Sequence, residues 1–347
     1  MGWSPSFQCV VSSRGERSYR VGHPVVDDFL SFIGSRARPN TVRAYAHDLK
    51  LFFAVVDKEP AEVTPADVMG FIQSQSRARP GAEKVVRIAD GSAGLTAATI
   101  KRRLASVSAL YGYLLTRGDA GVTANPVPRG LPTRRSRLRG GRGTPLITGV
   151  RRLPRILDPM EVDALMGALR SDRDRAMVRA MVLGGLRRCE VLGLRLEDLR
   201  LGERRLFVAE GKGGHERLVP LSPTFFATVG DYLRHERPPE ARTDRVFVVL
   251  KGRGRGGPLS AEGLDEILSA ARARAGLAHG TCHELRHTCL TRLREAGMTL
   301  EALQAQAGHR SLASTRVYLH LSADWLADEY RRASEAIDAQ AAMGAQR

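Results

Sequence analysis

The chain has 347 residues, 43% hydrophobic and 26% charged, and 54 Lys and Arg against 37 Asp and Glu give a formal net charge of +17. This length suits two domains that each bury a core, and the surplus points to a polyanionic partner, nucleic acid or an anionic membrane surface, with a merely solvated Arg-rich face as the plain alternative. No apolar run reaches the roughly 18 residues of a membrane span, the N-terminus lacks the apolar run of a signal peptide, and Cys9, Cys189, Cys282 and Cys289 form no CxxC pair, so a disulfide framework is not expected and a reducing cytoplasm fits.

Residues 1–22 lack periodicity and are expected to be loose. Two helical patterns follow: Val25, Phe29 and Phe32 on one face, then Thr41, Tyr45, Leu49, Phe52 and Phe53, with Pro39 or Asn40 at the start of the second. Thr64 and Pro65 cap and open a third helix over 64–74. Residues 75–95 read as a Gly-, Pro- and Arg-rich loop, and 96–116 as a strongly amphipathic helix with Lys101, Arg102 and Arg103 near one end. With four helices and no strand signal, 23–125 is expected to be an all-α domain. Aromatics make up only 5% of the chain, so aliphatic cores are expected.

Residues 126–155 hold nine Arg and no acidic residue, and Pro and Gly interrupt them repeatedly. This stretch reads as an interdomain linker able to lie on phosphates, or as a soluble tether. Asp158-Pro159 restarts helix, with patterns at 159–169, 173–184 and 188–194. A β-hairpin is expected from Arg205–Glu210 and Glu216–Leu221, turning at Gly211-Lys212-Gly213-Gly214. A helix near 223–235, a short strand at 245–250 and further helices complete a mainly α domain with a small antiparallel sheet over 156–321. The tail, 322–347, has a helical pattern with Trp325, Leu326, Tyr330, Ala333 and Ile337 on one face.

Chemistry-bearing residues concentrate in four stretches. In Gly184-Gly185-Leu186-Arg187-Arg188-Cys189-Glu190, an Arg at a helix N-terminus adds to a local positive potential suited to an anion. The Gly-flanked turn lets Lys212 reach a neighbouring cleft. In Cys282-His283-Glu284-Leu285-Arg286-His287, His283 and Arg286 share a helix face, where a guanidinium clamps phosphate oxygens and an imidazole moves protons. In Gly308-His309-Arg310-Ser311, Gly308 reads as a helix end with His309 just beyond it, and Tyr318 follows nine residues later.

Taken in order, GGLRRCEVLGLR, GKGGHERLVPL, HELRHT and AGHRSLASTRVYLH resemble the boxes of the tyrosine-recombinase (phage integrase) family, and NTVRAYAHDLKLFF and TAATIKRRLASVSALYGYL resemble its helical core-binding domain. The resemblance spans roughly residues 23–335. It implies a core-binding domain joined to a mixed α/β catalytic domain of the DNA breaking-rejoining type. It further implies that Arg187 and Arg286 hold the scissile phosphate, His283 acts as base and phosphate ligand, Lys212 protonates the leaving 5′ oxygen, His309 bonds a non-bridging oxygen and Tyr318 attacks. Glu190 matches a supporting acidic position. Site-specific double-stranded DNA would be the partner, bound by a homotetramer on paired sites, with the tail docking on a neighbouring protomer. No cofactor or metal is implied. Arg43, Lys101, Arg102 and Arg103 are candidate DNA contacts. Ala307 and Cys189 depart from the family pattern and bear on subgroup and target.

Four rival readings exist. His283–His287 fits the H-E-x-x-H zinc-protease pattern, with Glu295 or Glu301 as a third ligand since the extended form is absent (position 290 is Leu), but the pattern leaves the charge and the other boxes unexplained. Gly252-Arg253-Gly254-Arg255-Gly256-Gly257 satisfies G-x-G-x-x-G but lacks the acid about 20 residues on, so it reads as a basic loop near DNA. A DNA-binding protein without catalysis is opposed by the intact boxes; a nicking-closing topoisomerase shares the chemistry but is opposed by the separate helical domain and tail.

Overall fold

Amphipathic stripes need partner faces, and here they gather into two large cores and a small third cluster of Leu290, Leu303 and Ala307. The computed structural model describes residues 3–13, 17–76, 94–130, 144–148, 155–209, 216–309, 312–315, 331, 334 and 335. Its contacts divide the chain into the units Met1–Arg151 and Arg152–Arg347. Lys212, Tyr318, most of the 75–95 loop and of the 126–155 linker, and nearly all of the 322–347 tail lie outside the described residues.

In the first unit, α1 (Pro24–Gly34), α2 (Pro39–Val56), α3 (Pro65–Ser76) and α4 (Ala97–Arg117) enclose one core. Pro39 occupies the first turn of α2, which buries Val42, Ala46, Leu49, Phe52 and Phe53 at helical spacing. Thr96 starts α4 by accepting from the Thr99 amide at 3.2 Å. The inner stripe of α1 is Val26, Phe29 and Leu30; Phe32, expected on that face, is 41% exposed and lies against Tyr113 with Arg36 over its ring. The expectation of an aliphatic core fails here. Phe29, Phe52, Phe53, Phe71 and Tyr111 are all buried in this one cluster, with edge-on pairs of Phe52 with Phe53 and Phe71, so a scarce residue type is concentrated rather than spread.

The N-terminal segment is also not loose. Strands β1 (Gln8–Val11) and β2 (Arg17–Arg20) form an antiparallel hairpin in the register Gln8 with Arg20 and Val11 with Arg17, ahead of the helical stretch 23–125. Periodicity missed it because all of β1 is exposed and only Tyr19 and Val21 turn inward. Asp27 anchors the end of the hairpin by accepting from the Val21 amide at 2.7 Å.

In the second unit, Asp158 and Glu161 form a reciprocal cap at the start of α5 (Pro159–Ala168). Then come α6 (Asp172–Val182), α7 (Arg188–Gly193), the strands β3 (Leu199–Arg200), β4 (Arg205–Val208) and β5 (Arg217–Pro220), α8 (Pro223–Asp231), α9 (Ala261–Ala275), α10 (Cys282–Glu295), α11 (Leu300–Ala307) and the short α12 (Leu312–Thr315). The sheet is antiparallel, in the order β3-β4-β5. Residues 245–250, expected to form a strand, make only isolated bridges, Arg195 with Arg245 and Val248 with Pro258. Val246, Phe247 and Val248 are instead buried in succession, which removes the alternation a half-exposed strand requires. Helix α10 packs across α6, and this pair forms the platform of the site described next. Among the described residues, no helix is long and apolar enough to cross a membrane.

Candidate active site

The site is assembled at helix ends. After α6, Gly185 turns the chain at φ +67°, a left-handed conformation that favours glycine. Its carbonyl accepts from Nη1 of Arg286, a residue 3% exposed on α10. Two residues on, Arg187 sits at the N-terminal boundary of α7.

Glu190, in the first turn of α7, is the hub. Its carboxylate accepts from the Arg187 amide at 2.9 Å and from Arg187 Nη1 at 2.7 Å. It also accepts a two-pronged bond from Arg217 on β5, at 3.1 and 2.9 Å, and Arg286 Nη1 lies 3.9 Å away. Burial works to raise the Glu190 carboxyl, but the Arg217 and Arg187 bonds and charges outweigh it and hold it below its ordinary range. Among the described residues, three guanidiniums share this one carboxylate, a local excess of positive charge. Buried excess charge of that sign invites an anion.

Thr281 caps α10 and Glu284 completes the cap, its carboxylate accepting from the Gly280 amide at 2.9 Å, the Thr281 amide at 2.8 Å and the Thr281 hydroxyl at 2.9 Å. Glu284 is thus committed to the helix start, which removes the base that a zinc-protease reading of HELRH requires. One turn apart on α10, His283 and His287 meet through their Nε2 atoms at 2.8 Å, so one donates and the other accepts. Burial, followed by His283 and Arg286, pushes His287 down to about 4; burial and Arg286 also lower His283.

Gly308 ends α11 at φ +60°, and His309 follows it. Arg187 Nη2 donates to the Gly308 carbonyl at 3.1 Å, and Arg286 Nη2 donates to the Ala307 carbonyl at 2.6 Å and reaches His309 Nε2 at 3.1 Å. A guanidinium can only donate, so His309 Nε2 accepts; the ring proton therefore sits on Nδ1 and is donated to Thr315 Oγ1 at 3.0 Å. Burial, then Arg286 and Arg187, push His309 down to about 4, so the ring is neutral at pH 7.

Arg187, Arg286 and His309, far apart in sequence, are thus brought together, with His283 one helical turn from Arg286. Lys212 and Tyr318 lie outside the described residues, although Thr315 ends α12 three positions before Tyr318. In the first unit, Arg43 and Lys101 are exposed. Arg102 pairs with the buried Asp48, and Arg103 bonds Gln75 Oε1, so these two candidates already have internal partners. Sequence reasoning missed Arg217, Gln306 and Thr315. Arg217 had a usable signal: it alternates with the buried Val219 on β5 and therefore points a cation inward. The burial of Gln306, which donates to the Gly184 and Pro220 carbonyls at 3.1 and 3.3 Å, had none.

Residues 155–324 match the family model described as the phage integrase family, and residues 26–118 match its N-terminal SAM-like domain. Among curated relatives, the tyrosine recombinase XerC of Pelobacter propionicus is 31% identical over 302 residues, covering 85% of this chain and 89% of the relative. The tyrosine recombinase XerD of Listeria monocytogenes is 27% identical over 320 residues, covering 89% and 97%. Solved structures share the fold. The Tn1549 transposon integrase in complex with transposon right end DNA has a TM-score of 0.64 at 18% identity, covering 89% of this chain and 99% of that one. XerH bound to its difH substrate has a TM-score of 0.62 at 21% identity, covering 84% and 79%.

Proposed function

The chain belongs to the phage integrase family of tyrosine recombinases, and on that premise we propose that it cuts and rejoins double-stranded DNA at a specific recombination site through Tyr318. Arg187 and Arg286 hold the non-bridging oxygens of the scissile phosphate. The Tyr318 oxygen attacks phosphorus, the bond from phosphorus to the 5′ oxygen breaks, the phenolic proton passes to His283, and Lys212 protonates the departing 5′ oxygen. The bond energy is kept as a 3′-phosphotyrosine, which a 5′-hydroxyl attacks in reverse to rejoin the strand. A phenol with an ordinary pKa of about 10 needs this base and these cations to react near neutral pH.

The observation that supports this reading is the convergence of Arg187 and Arg286 on Glu190, with His309 against Arg286 and a local excess of positive charge. Charge that builds on the equatorial oxygens during in-line displacement meets fixed donors there. When a phosphate oxygen takes the Arg286 N–H, His309 donates from Nε2. The Thr315 hydroxyl, which both donates and accepts, then serves Nδ1 in the other tautomer.

The chain works as a core-binding domain over 23–125, a catalytic domain over 156–321 and an Arg-rich linker between them that adds phosphate contacts. Arg43 and Lys101 on α2 and α4, with Arg102 and Arg103 beside them, contribute to the DNA face of the first domain. Four copies assemble on two DNA sites in the cytoplasm, with the 322–347 tail docking on a neighbouring copy. Solved relatives are bound to a palindromic difH substrate, a COC′ core site and a transposon right end, which supports a recombination site as the partner.

The test uses a duplex selected from a randomised pool for binding by the full chain and then nicked so that a small 5′ fragment is lost after cleavage. The wild type accumulates a covalent adduct that maps to the peptide holding Tyr318, and excess chelator leaves the yield unchanged because guanidiniums meet the phosphate charge. Tyr318→Phe binds the duplex normally and forms no adduct. An adduct in Tyr318→Phe, or one that depends on added metal, refutes the assignment.

A further inference from the structure

Arg217 has no part in the chemistry above, yet it joins the start of α7 to the end of α11. Its side chain is only 11% exposed. Two prongs hold Glu190 at 3.1 and 2.9 Å, and Nε donates to the Gln306 carbonyl at 3.2 Å, near the end of α11. Gly308 lies directly against the guanidinium: a Cβ there would stand 2.8 Å from Nη1 and 3.0 Å from Cζ. Glycine before His309 is therefore demanded by Arg217 as well as by the backbone angle. A lysine could supply the charge but not the planar fork that grips a carboxylate and a carbonyl together.

We propose that Arg217 is a positioning residue of the recombination site: it holds Glu190 and the Gly308–His309 turn in register, and its charge keeps Glu190 from neutralising Arg187 and Arg286. This rests on the reading in which those two arginines bind phosphate. Glu190 has three cationic neighbours, Arg187 at 2.7 Å, Arg217 at 2.9 Å and Arg286 at 3.9 Å. Without Arg217, the whole carboxylate charge falls on the pair that should face DNA. Arg217 cannot be the phosphate ligand itself while its fork and its Nε are turned to Glu190 and Gln306, so it acts through its neighbours.

Four full-length proteins separate charge from geometry: wild type, Arg217→Lys, Arg217→Met and the double variant Arg217→Met with Glu190→Gln. All are assayed at a temperature where circular dichroism shows them folded, so lost stability does not enter. The first readout is the affinity for inorganic phosphate, followed on the assigned Nε–H signals of Arg187 and Arg286. The second is the single-turnover adduct rate on the selected nicked duplex. Arg217→Met weakens phosphate binding about tenfold and slows the adduct about a hundredfold. Arg217→Lys keeps phosphate affinity within about threefold of wild type but slows the adduct about tenfold, since charge survives and the fork does not. The double variant restores the charge balance, and so recovers phosphate affinity to within about threefold of wild type without recovering the adduct rate.

Wild-type phosphate affinity in Arg217→Met overturns the charge role. Adduct rates near wild type in Arg217→Lys and Arg217→Met overturn the positioning role. A buried side chain that merely filled space would not make phosphate affinity follow net charge across the series. The phosphate arm needs no strand transfer: if wild type forms no adduct but the affinities keep this order, the nucleophile assignment fails and the role of Arg217 stands.

Discussion

Replacing Gly308 with alanine tests how tightly the His309 turn is built. Gly276 and Gly308 end their helices at similar left-handed angles, φ +68° and +60°. Alanine in that conformation costs roughly 1–2 kcal/mol. At Gly276 an added Cβ meets nothing within 4 Å, so that is the whole cost. At Gly308 it would lie 2.8 Å from Arg217 Nη1, so the guanidinium must withdraw from the Glu190 carboxylate. A lost hydrogen bond to a charged group adds about 1.5–3 kcal/mol, which brings Gly308→Ala to about 2.5–5 kcal/mol. For a unit of this size each kcal/mol moves the melting temperature by about 2–4 °C. The expected drop is about 5–20 °C for Gly308→Ala and about 2–8 °C for Gly276→Ala, read by calorimetry on the transition of the C-terminal unit. Adding Arg217→Met to each alanine variant isolates the clash, because the extra loss at Gly308 should vanish once the guanidinium is gone. If Gly308→Ala melts no lower than Gly276→Ala, Arg217 does not clamp the turn and the reasoning is wrong.

His287 and His309 are both lowered from an ordinary 6.5 to about 4, chiefly by burial. The unfolded chain therefore takes up protons at these sites below pH about 6.5 while the folded chain does not, so stability is full above that pH and declines as pH falls toward about 4. Urea unfolding at pH 7, 6 and 5 should show this decline, and the double variant His287→Gln with His309→Gln should flatten it; an unchanged slope would count against the buried, neutral pair. Thr315→Val removes the acceptor for His309 Nδ1, so long-range 15N spectra should lose the single Nδ1–H tautomer that Thr315→Ser keeps; a wild-type ring already protonated on Nε2 would contradict the hydrogen-bond assignment. Asp48→Asn releases Arg102 from its buried carboxylate, so non-specific duplex binding should tighten and its log–log salt slope steepen by up to about 1; an unchanged slope would show that Arg102 does not reach DNA.

Much of this was legible in local pattern. The helices beginning at Pro65, Ala97 and Pro159 fall where caps and periodic apolar residues put them, and the expected hairpin pairs as β4 with β5. Where reading failed, the cause was physical. The N-terminal hairpin was invisible because its stability comes from Tyr19 and Val21 entering a distant core and from the Asp27 anchor, not from its own alternation. Residues 245–250 look like a strand because five apolar residues in a row, 246–250, satisfy strand composition, whereas what Val246, Phe247 and Val248 satisfy in the fold is burial in succession. Phe32 matched helical spacing, but a one-residue shift of the buried stripe left it outside.

For the site, sequence alone determined the inventory: Arg187, Glu190, His283, Arg286 and His309 in ordered boxes, together with an excess of positive charge that asks for a polyanion. Only the tertiary structure decided how those groups are coupled. Glu190 carries three cationic neighbours drawn from α7, β5 and α10. Arg286 spends its donors on carbonyls at the ends of two other helices. The tautomer of His309 is set by Arg286 on one side and Thr315 on the other. A motif records which side chains are available, since residue type and local spacing are properties of the chain. Which donor meets which acceptor, and how charge is shared, depends on distances between segments up to 122 residues apart, and those distances exist only once α6, α10 and α11 have packed.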